Sequence, residues 1–180
     1  MNFIQADLQG VVIIEPDILI DERGYFFESF RDDLFKKHIG NINFVQDNES
    51  KSTYGVLRGL HYQIPPFDQS KLVRVVKGRI WDVIVDIRYG SDTFGKHIGV
   101  DLSEDNKKMW FIPRGFAHGF ITLSDEAILT YKADNYYSKE HERGVAYNDP
   151  DLHIDWKIKD EEIVLSGKDK ILPLLKDIQR

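Results

Sequence analysis

The strongest constraint on this chain is how its apolar residues are parcelled. Short runs, each closed by turn-forming residues, follow one another along most of the sequence. Runs of about 4–8 residues bounded in this way read as β-strands. Val11–Ile14 and Ile18–Ile20 flank Glu15-Pro16-Asp17, and Tyr25–Phe30 follows Asp21-Glu22-Arg23-Gly24. Leu72–Val76 and Ile80–Ile87 flank Lys77-Gly78-Arg79, a hairpin turn because glycine tolerates the positive φ such turns use. His97–Leu102, Met109–Ile112, Gly119–Leu123 and Ala127–Lys132 continue the series. Helix is expected only over Asp32–Ile39, stopped by Gly40, and once more near the C-terminus. The pattern predicts an all-β fold with a few short helices, arranged as a sandwich or a barrel-like jelly roll.

A length of 180 residues suits one such domain, residues 1–180. A chain of this size buries roughly 70% of its unfolded surface, so it requires neither disulfide nor structural metal. There is no cysteine, which removes thiol nucleophiles, redox pairs and cysteine zinc sites. With 24 basic against 30 acidic residues, a nucleic-acid partner is not expected. No basic-then-apolar leader is evident, and no apolar stretch approaches the ~20 residues of a membrane helix. The expected setting is the cytoplasm, with no membrane partner.

Strand alternation puts several ionisable groups in apolar company. Lys71 shares a face with Val73 and Val75, Tyr131 with Ala127 and Leu129, and His118 with Phe116 and Phe120. Asp82 and Asp86 fall with Ile80 and Ile84. A polar-lined pocket inside a β shell produces this pattern, and so do edge or solvent-facing strands.

Two segments carry chemistry. Val56-Leu57-Arg58-Gly59-Leu60-His61-Tyr62-Gln63 sets a guanidinium and an imidazole three residues apart around a glycine. Regular alternation would point them to opposite faces, and a bulge at Gly59 would bring them together. Taken alone, His61 reads first as an ordinary hydrogen-bonded histidine. Pro113-Arg114-Gly115-Phe116-Ala117-His118 has the Pro-x-Gly-x-x-His spacing of the second cupin motif, whose histidine points into a barrel mouth. Gly55 and His61 supply part of the first motif, but Gln63 stands where a metal cupin places a second histidine. Two histidines without a third strong ligand make a poor divalent site, so no metal is expected.

The blocks from Asp21 to Ser29, Phe44 to Ser50, Leu57 to Gln63, Lys71 to Arg74 and Pro113 to Phe120 then form an ordered series. Tyr131-Lys132, Asn135-Tyr136-Tyr137 and Leu165-Ser166-Gly167-Lys168-Asp169 complete it. In these blocks the chain resembles the dTDP-4-dehydrorhamnose 3,5-epimerase family, cupin-type jelly-roll enzymes acting on thymidine-diphosphate keto-sugars. Ser70, Arg114 and Tyr147 depart from residues frequent in that family, none of them at the positions that would carry the reaction. The resemblance implies conversion of dTDP-4-keto-6-deoxy-D-glucose to dTDP-4-keto-L-rhamnose, without metal or redox cofactor. A relative that epimerises one carbon, or a ketoisomerase, is the alternative, followed by a metal-dependent cupin or a non-catalytic sugar-nucleotide binding module. It implies His61 as base with Asp169 as its partner, Lys71 as stabiliser of the enolate at O4, and Tyr131 as the acid on the opposite face. For the substrate it implies Arg23, Arg58 and Lys168 at the diphosphate, Gln46, Asp47, Asn48 and Glu28 at the sugar or base, and His118, Glu142 and Tyr137 as further contacts, Tyr137 stacking on thymine. It also implies a homodimer that exchanges an N-terminal strand, with Arg23 and Glu28 placed to complete the neighbour's pocket.

The residues admit plainer readings. Ser166-Gly167-Lys168-Asp169 has the form of a helix-capping box, which would make Asp169 structural. Lys71 would snorkel from an edge strand, and Tyr131 would be a core aromatic with its hydroxyl at the rim.

Overall fold

The computed structural model describes residues 1–178. In chain order its strands are β1 (Asn2–Gln5), β2 (Val12–Glu15), β3 (Leu19–Asp21), β4 (Gly24–Phe26), β5 (Gln46–Thr53), β6 (Val56–Gln63) and β7 (Lys71–Lys77). Then come β8 (Arg79–Asp86), β9 (His97–Ser103), β10 (Met109–Ile112), β11 (Phe116–Thr122), β12 (Glu126–Ala133), β13 (Glu142–Gly144) and β14 (Val164–Leu165). One helix, α1, spans Asp32–His38. The strands form two facing sheets of a jelly roll, β1-β2-β10-β7-β12-β5 and β13-β6-β11-β8-β9, with β14 parallel beside β6.

The alternation of each strand decides which layer its side chains enter. Val73, Val75, Trp110, Ile112 and Leu129 of the first sheet meet Ile80, Ile84, Phe116 and Phe120 of the second inside the barrel. The opposite residues are covered too. On the outside of the second sheet Leu57, Leu60, Val83, Val85 and Ile121 pack under the C-terminal segment through Val145, Leu152, Trp156 and Leu175. On the outside of the first, Val12, Ile14, Leu72, Met109 and Phe111 pack against Phe35 of α1. Central strands buried on both faces are apolar along most of their length, which is why they stand out in the sequence. Helix α1 carries Asp32 and Asp33 in its first turn and Lys36, Lys37 and His38 in its last, each sign opposing the helix dipole.

The β7–β8 hairpin turns at Gly78, whose φ is 77° and where a Cβ would lie 2.0 Å from a backbone oxygen. Two expectations change. The strand expected over Tyr25–Phe30 is only β4, which pairs with β3 as a hairpin separate from both sheets and exposes Leu19, Ile20, Tyr25 and Phe26. The C-terminal helix is replaced by three 3₁₀ turns, Asp160–Glu162, Asp169–Ile171 and Leu175–Asp177. Gly167 and Pro173 leave no stretch long enough for helix propagation there.

Candidate active site

A cavity of about 530 Å³ opens between the sheets. Its walls come from β6 and β11 on one side, from β5, β7 and β12 on the other, and from the segment after β14. Seven of the expected residues line it: Arg58, His61, Lys71, His118, Tyr131, Lys168 and Asp169.

The bulge in β6 makes this possible. His61 pairs with His118 and Arg58 with Phe120, so three steps along β6 match two along β11. The extra residue is Gly59, with φ 130°. A Cβ there would stand 2.4 Å from Gly119 Cα, so no other residue fits without moving β11. The irregularity turns Arg58 and His61 into the same cavity.

His61 Nε2 lies 2.6 Å from Asp169 Oδ1. The Asp169 side chain is buried, and its backbone N–H donates to Ser166 Oγ. The cap and the contact with His61 therefore coexist. The serine hydroxyl caps the turn, while the carboxylate points to His61 instead of back to the cap. Burial by itself would raise the Asp169 carboxyl. The bond and charge of His61, with Ser166 and Lys168, outweigh it and hold the group below the usual aspartate range. A neutral imidazole donating Nε2–H to this carboxylate carries its lone pair on Nδ1.

Lys71 and Tyr131 come from the opposite sheet, paired strand to strand through β7 and β12. The Lys71 ammonium stands 5.9 Å from the centre of the Tyr131 ring. Burial pulls the lysine down to about 8, against the raising influence of Asp82 and Glu142. Burial also raises the Tyr131 phenol, helped by Glu142 and opposed by Arg58.

At the rim, Glu142 accepts from Lys168 at 2.5 Å and from the Tyr137 hydroxyl at 3.0 Å. The bonds from Lys168 and Tyr137 hold Glu142 below its ordinary value although burial opposes them. Gln46 donates to Asn48 Oδ1 and accepts the Tyr137 N–H. Arg58 is fixed by bonds to Ser52 Oγ and the Lys51 carbonyl.

Three expected residues lie elsewhere on the chain. Arg23 sits at the β3–β4 turn, bonded to Asp21, with its side chain 84% exposed. Glu28 stands 3.6 Å from Arg31 and lines a separate hollow with Phe26 and Phe27. Asp47 points to the outer face of β5, where it accepts from Lys132. Conversely, Ser50 lines the cavity with a buried hydroxyl that has no protein partner. The sequence holds its trace, since Asn48, Ser50 and Ser52 alternate on one face of β5. Gln63 is a buried strut, donating to the carbonyls of Phe67 and Tyr136 and accepting the Ser138 N–H. Among the described residues no three His, Asp or Glu side chains are grouped to hold a metal.

The family model for dTDP-4-dehydrorhamnose 3,5-epimerase matches residues 5–177. An enzyme of that description from Shigella flexneri is 52% identical over 94% of this chain and 93% of its own. The crystal structure of the dTDP-4-dehydrorhamnose 3,5-epimerase from Elizabethkingia anophelis superposes with a TM-score of 0.94 at 50% identity, covering 98% of this chain and 97% of the other. A Legionella pneumophila dTDP-6-deoxy-D-glucose-3,5-epimerase, solved in complex with dTDP-4-keto-L-rhamnose, superposes with a TM-score of 0.95 at 48% identity, covering 99% and 94%. With that likeness running from end to end, this chain belongs to the dTDP-4-dehydrorhamnose 3,5-epimerase family.

Proposed function

We infer that this protein inverts C3 and C5 of dTDP-4-keto-6-deoxy-D-glucose to give dTDP-4-keto-L-rhamnose, in the biosynthesis of dTDP-L-rhamnose. The observation that carries the reading is that His61 and Tyr131 enter one cavity from opposite sheets. Epimerisation requires that arrangement, because the proton must leave one face of the ring and return to the other.

The ketone at C4 acidifies the hydrogens on C3 and C5. His61 Nδ1 removes one, and the electron pair moves through the forming enolate onto O4. Lys71 supports the charge there, a preorganised contribution of the kind that is often the largest in catalysis. Tyr131, kept protonated by its raised phenol, donates to the far face. Its phenolate then regains a proton from solvent as His61 releases one, and the cycle repeats at the second carbon. The substrate's own carbonyl is the electron sink, so neither metal nor redox cofactor is needed. Asp169 orients His61 and stabilises the imidazolium.

Arg58 and Lys168 suit the diphosphate, since planar and point cations pair well with phosphate oxygens. Glu142, His118, Gln46 and Asn48 are further candidate contacts, with Tyr137 available to stack on thymine. The exposed hairpin supports a homodimer in which β3 and β4 cross to a second copy, burying Leu19, Ile20, Tyr25 and Phe26. In that assembly Arg23 and Glu28 complete the neighbour's pocket, and each chain acts as one domain in the cytoplasm.

The test is turnover in deuterium oxide with C3 and C5 read by NMR. Solvent deuterium at both carbons is the expected result. Label at one carbon alone would assign the protein to the single-carbon epimerases. His61→Ala should lower kcat at least about a hundredfold, the lower range for losing a general base.

A further inference from the structure

None of these roles uses Asp82, a carboxylate inside the barrel. Its side chain is fully buried on the face of β8 that carries Ile80 and Ile84, opposite Phe120 of β11. Asp82 Oδ1 lies 2.8 Å from His118 Nε2, whereas Oδ2 is buried without a protein partner. A half-satisfied carboxylate among isoleucine and phenylalanine side chains is costly unless a cation offsets it.

The groups around Lys71 identify that cation. His118 on β11, Tyr131 on β12, and Arg58 and His61 on β6 line the same cavity as Lys71, with Asp82 on β8 bonded to His118 behind that wall and Glu142 on β13 bonded to Lys168 of the cavity lining. Two carboxylates act on Lys71, and Asp82 has the larger influence. Glu142 already has its own cation in Lys168 and a second donor in Tyr137. Asp82 has only His118. The charge left over in the barrel is thus Asp82 and the charge that lacks a close carboxylate is Lys71.

We propose that Asp82 is a positioning residue of the reaction, fixing the His118 ring and supplying the counter-charge that holds the Lys71 ammonium at the carbonyl end of the substrate. The proposal rests on the epimerase reading above. It gives His118 a defined face: with Nε2–H donated to Asp82, Nδ1 is the nitrogen that accepts from a substrate hydroxyl.

Asp82→Asn tests it, because the amide keeps the shape and an acceptor for His118 while removing the charge. Lys71 then surrenders its proton at lower pH. The alkaline limb of kcat should move acidward by about one unit, as expected for losing one nearby opposite charge, and kcat at pH 8 should fall about fivefold with KM little changed. A merely structural role would lower the folded fraction and scale kcat equally at every pH. Wild-type enzyme assayed in parallel separates the two claims. Wild type that fails to place deuterium in the substrate sinks the epimerase reading, and an active wild type whose Asp82→Asn variant keeps its alkaline limb sinks only this proposal. Should the variant not fold, nitrogen-15 NMR of the wild-type imidazoles decides. A neutral His118 protonated on Nε2 supports the proposal, and one protonated on Nδ1 overturns it.

Discussion

Strand β8 buries two aspartates on the same face, four residues apart, and equips them differently. Asp86, at the end of the strand, accepts from the Arg88 backbone N–H, its Nε and its Nη2, and from the hydroxyls of Ser91 and Thr93. Asp82, in the middle of the strand, has one bond to His118 and one oxygen without a partner. Burial would raise the Asp86 carboxyl, but its donors overcome that and hold it at about 2. Position explains the contrast. A chain turning back at residues 87–93 brings backbone and hydroxyl donors to Asp86, whereas mid-strand neighbours have spent their backbone groups on the sheet. The buried carboxylate with a full set of bonds holds the architecture together. The one left short lies beside the cavity, where incomplete satisfaction is tolerated for the sake of chemistry.

Asp86→Ala is the harshest way to break this division. It strips a buried charge pair of one partner and leaves its donors unmatched, which costs about 3–5 kcal/mol. The melting temperature should fall on the order of 10 °C for a chain of this size, with kcat per folded molecule unchanged. The pH dependence follows from the depressed carboxyl. Its stabilisation is complete above the free aspartate value of 3.8 and disappears as pH falls through about 2. The wild-type and variant melts should therefore converge only in strong acid. A collapse of kcat per folded molecule would mean that Asp86 is not purely architectural.

Lys71→Met comes next and probes the other side. Losing one preorganised donor to an oxyanion lowers kcat about 10²–10³-fold. The substitution also leaves Asp82 without its cation, so its effect on stability should depend on residue 82. Chemical denaturation of both single variants and the Asp82→Asn/Lys71→Met double variant should give a coupling of about 0.5–3 kcal/mol, as for residues sharing one charge network. Additive effects would show that the two charges do not compensate each other.

The same contrast shows what the sequence could disclose. Strand β8 and its partners are legible because both of their faces are buried, so the apolar run is interrupted in β8 only by Asp82. Strand β5, Gln46 to Thr53, carries no apolar run at all, because one face lines a polar cavity and the other meets solvent. Only its ladder with β12, unbroken from Gln46–Ala133 to Thr53–Glu126, makes it a strand. Composition cannot foresee pairing between partners so far apart in the chain. The candidate catalytic set is legible only through the family resemblance and not through pattern, since His61 and Asp169 are 108 residues apart and meet only in three dimensions. Local rules were still partly right about Asp169, whose turn is capped by Ser166. The sequence places Asp82 in apolar company, but its pairing with His118 depends on the β8–β11 register.

Glu126 supplies the mildest and sharpest comparison. Like Asp86 it is held at about 2, here by bonds from Lys51 and Lys77, each at 2.6 Å. Its side chain remains partly exposed at the start of β12, however, and both lysines are more than half exposed. Water and salt solvate all three groups nearly as well in the unfolded chain, and ordering the long lysine side chains offsets much of the attraction. Glu126→Gln should therefore leave the melting temperature unchanged within error at physiological salt, with a small decrease emerging only at low ionic strength. Asp86→Ala in the same buffers should lose stability at either salt concentration, because its carboxylate is fully buried. If Glu126→Gln proved as damaging as Asp86→Ala, a depressed carboxyl alone would mark a stabilising group. If the two separate as expected, burial together with complete donor satisfaction is the distinguishing property, and Asp82, with Oδ2 unpartnered, lacks it.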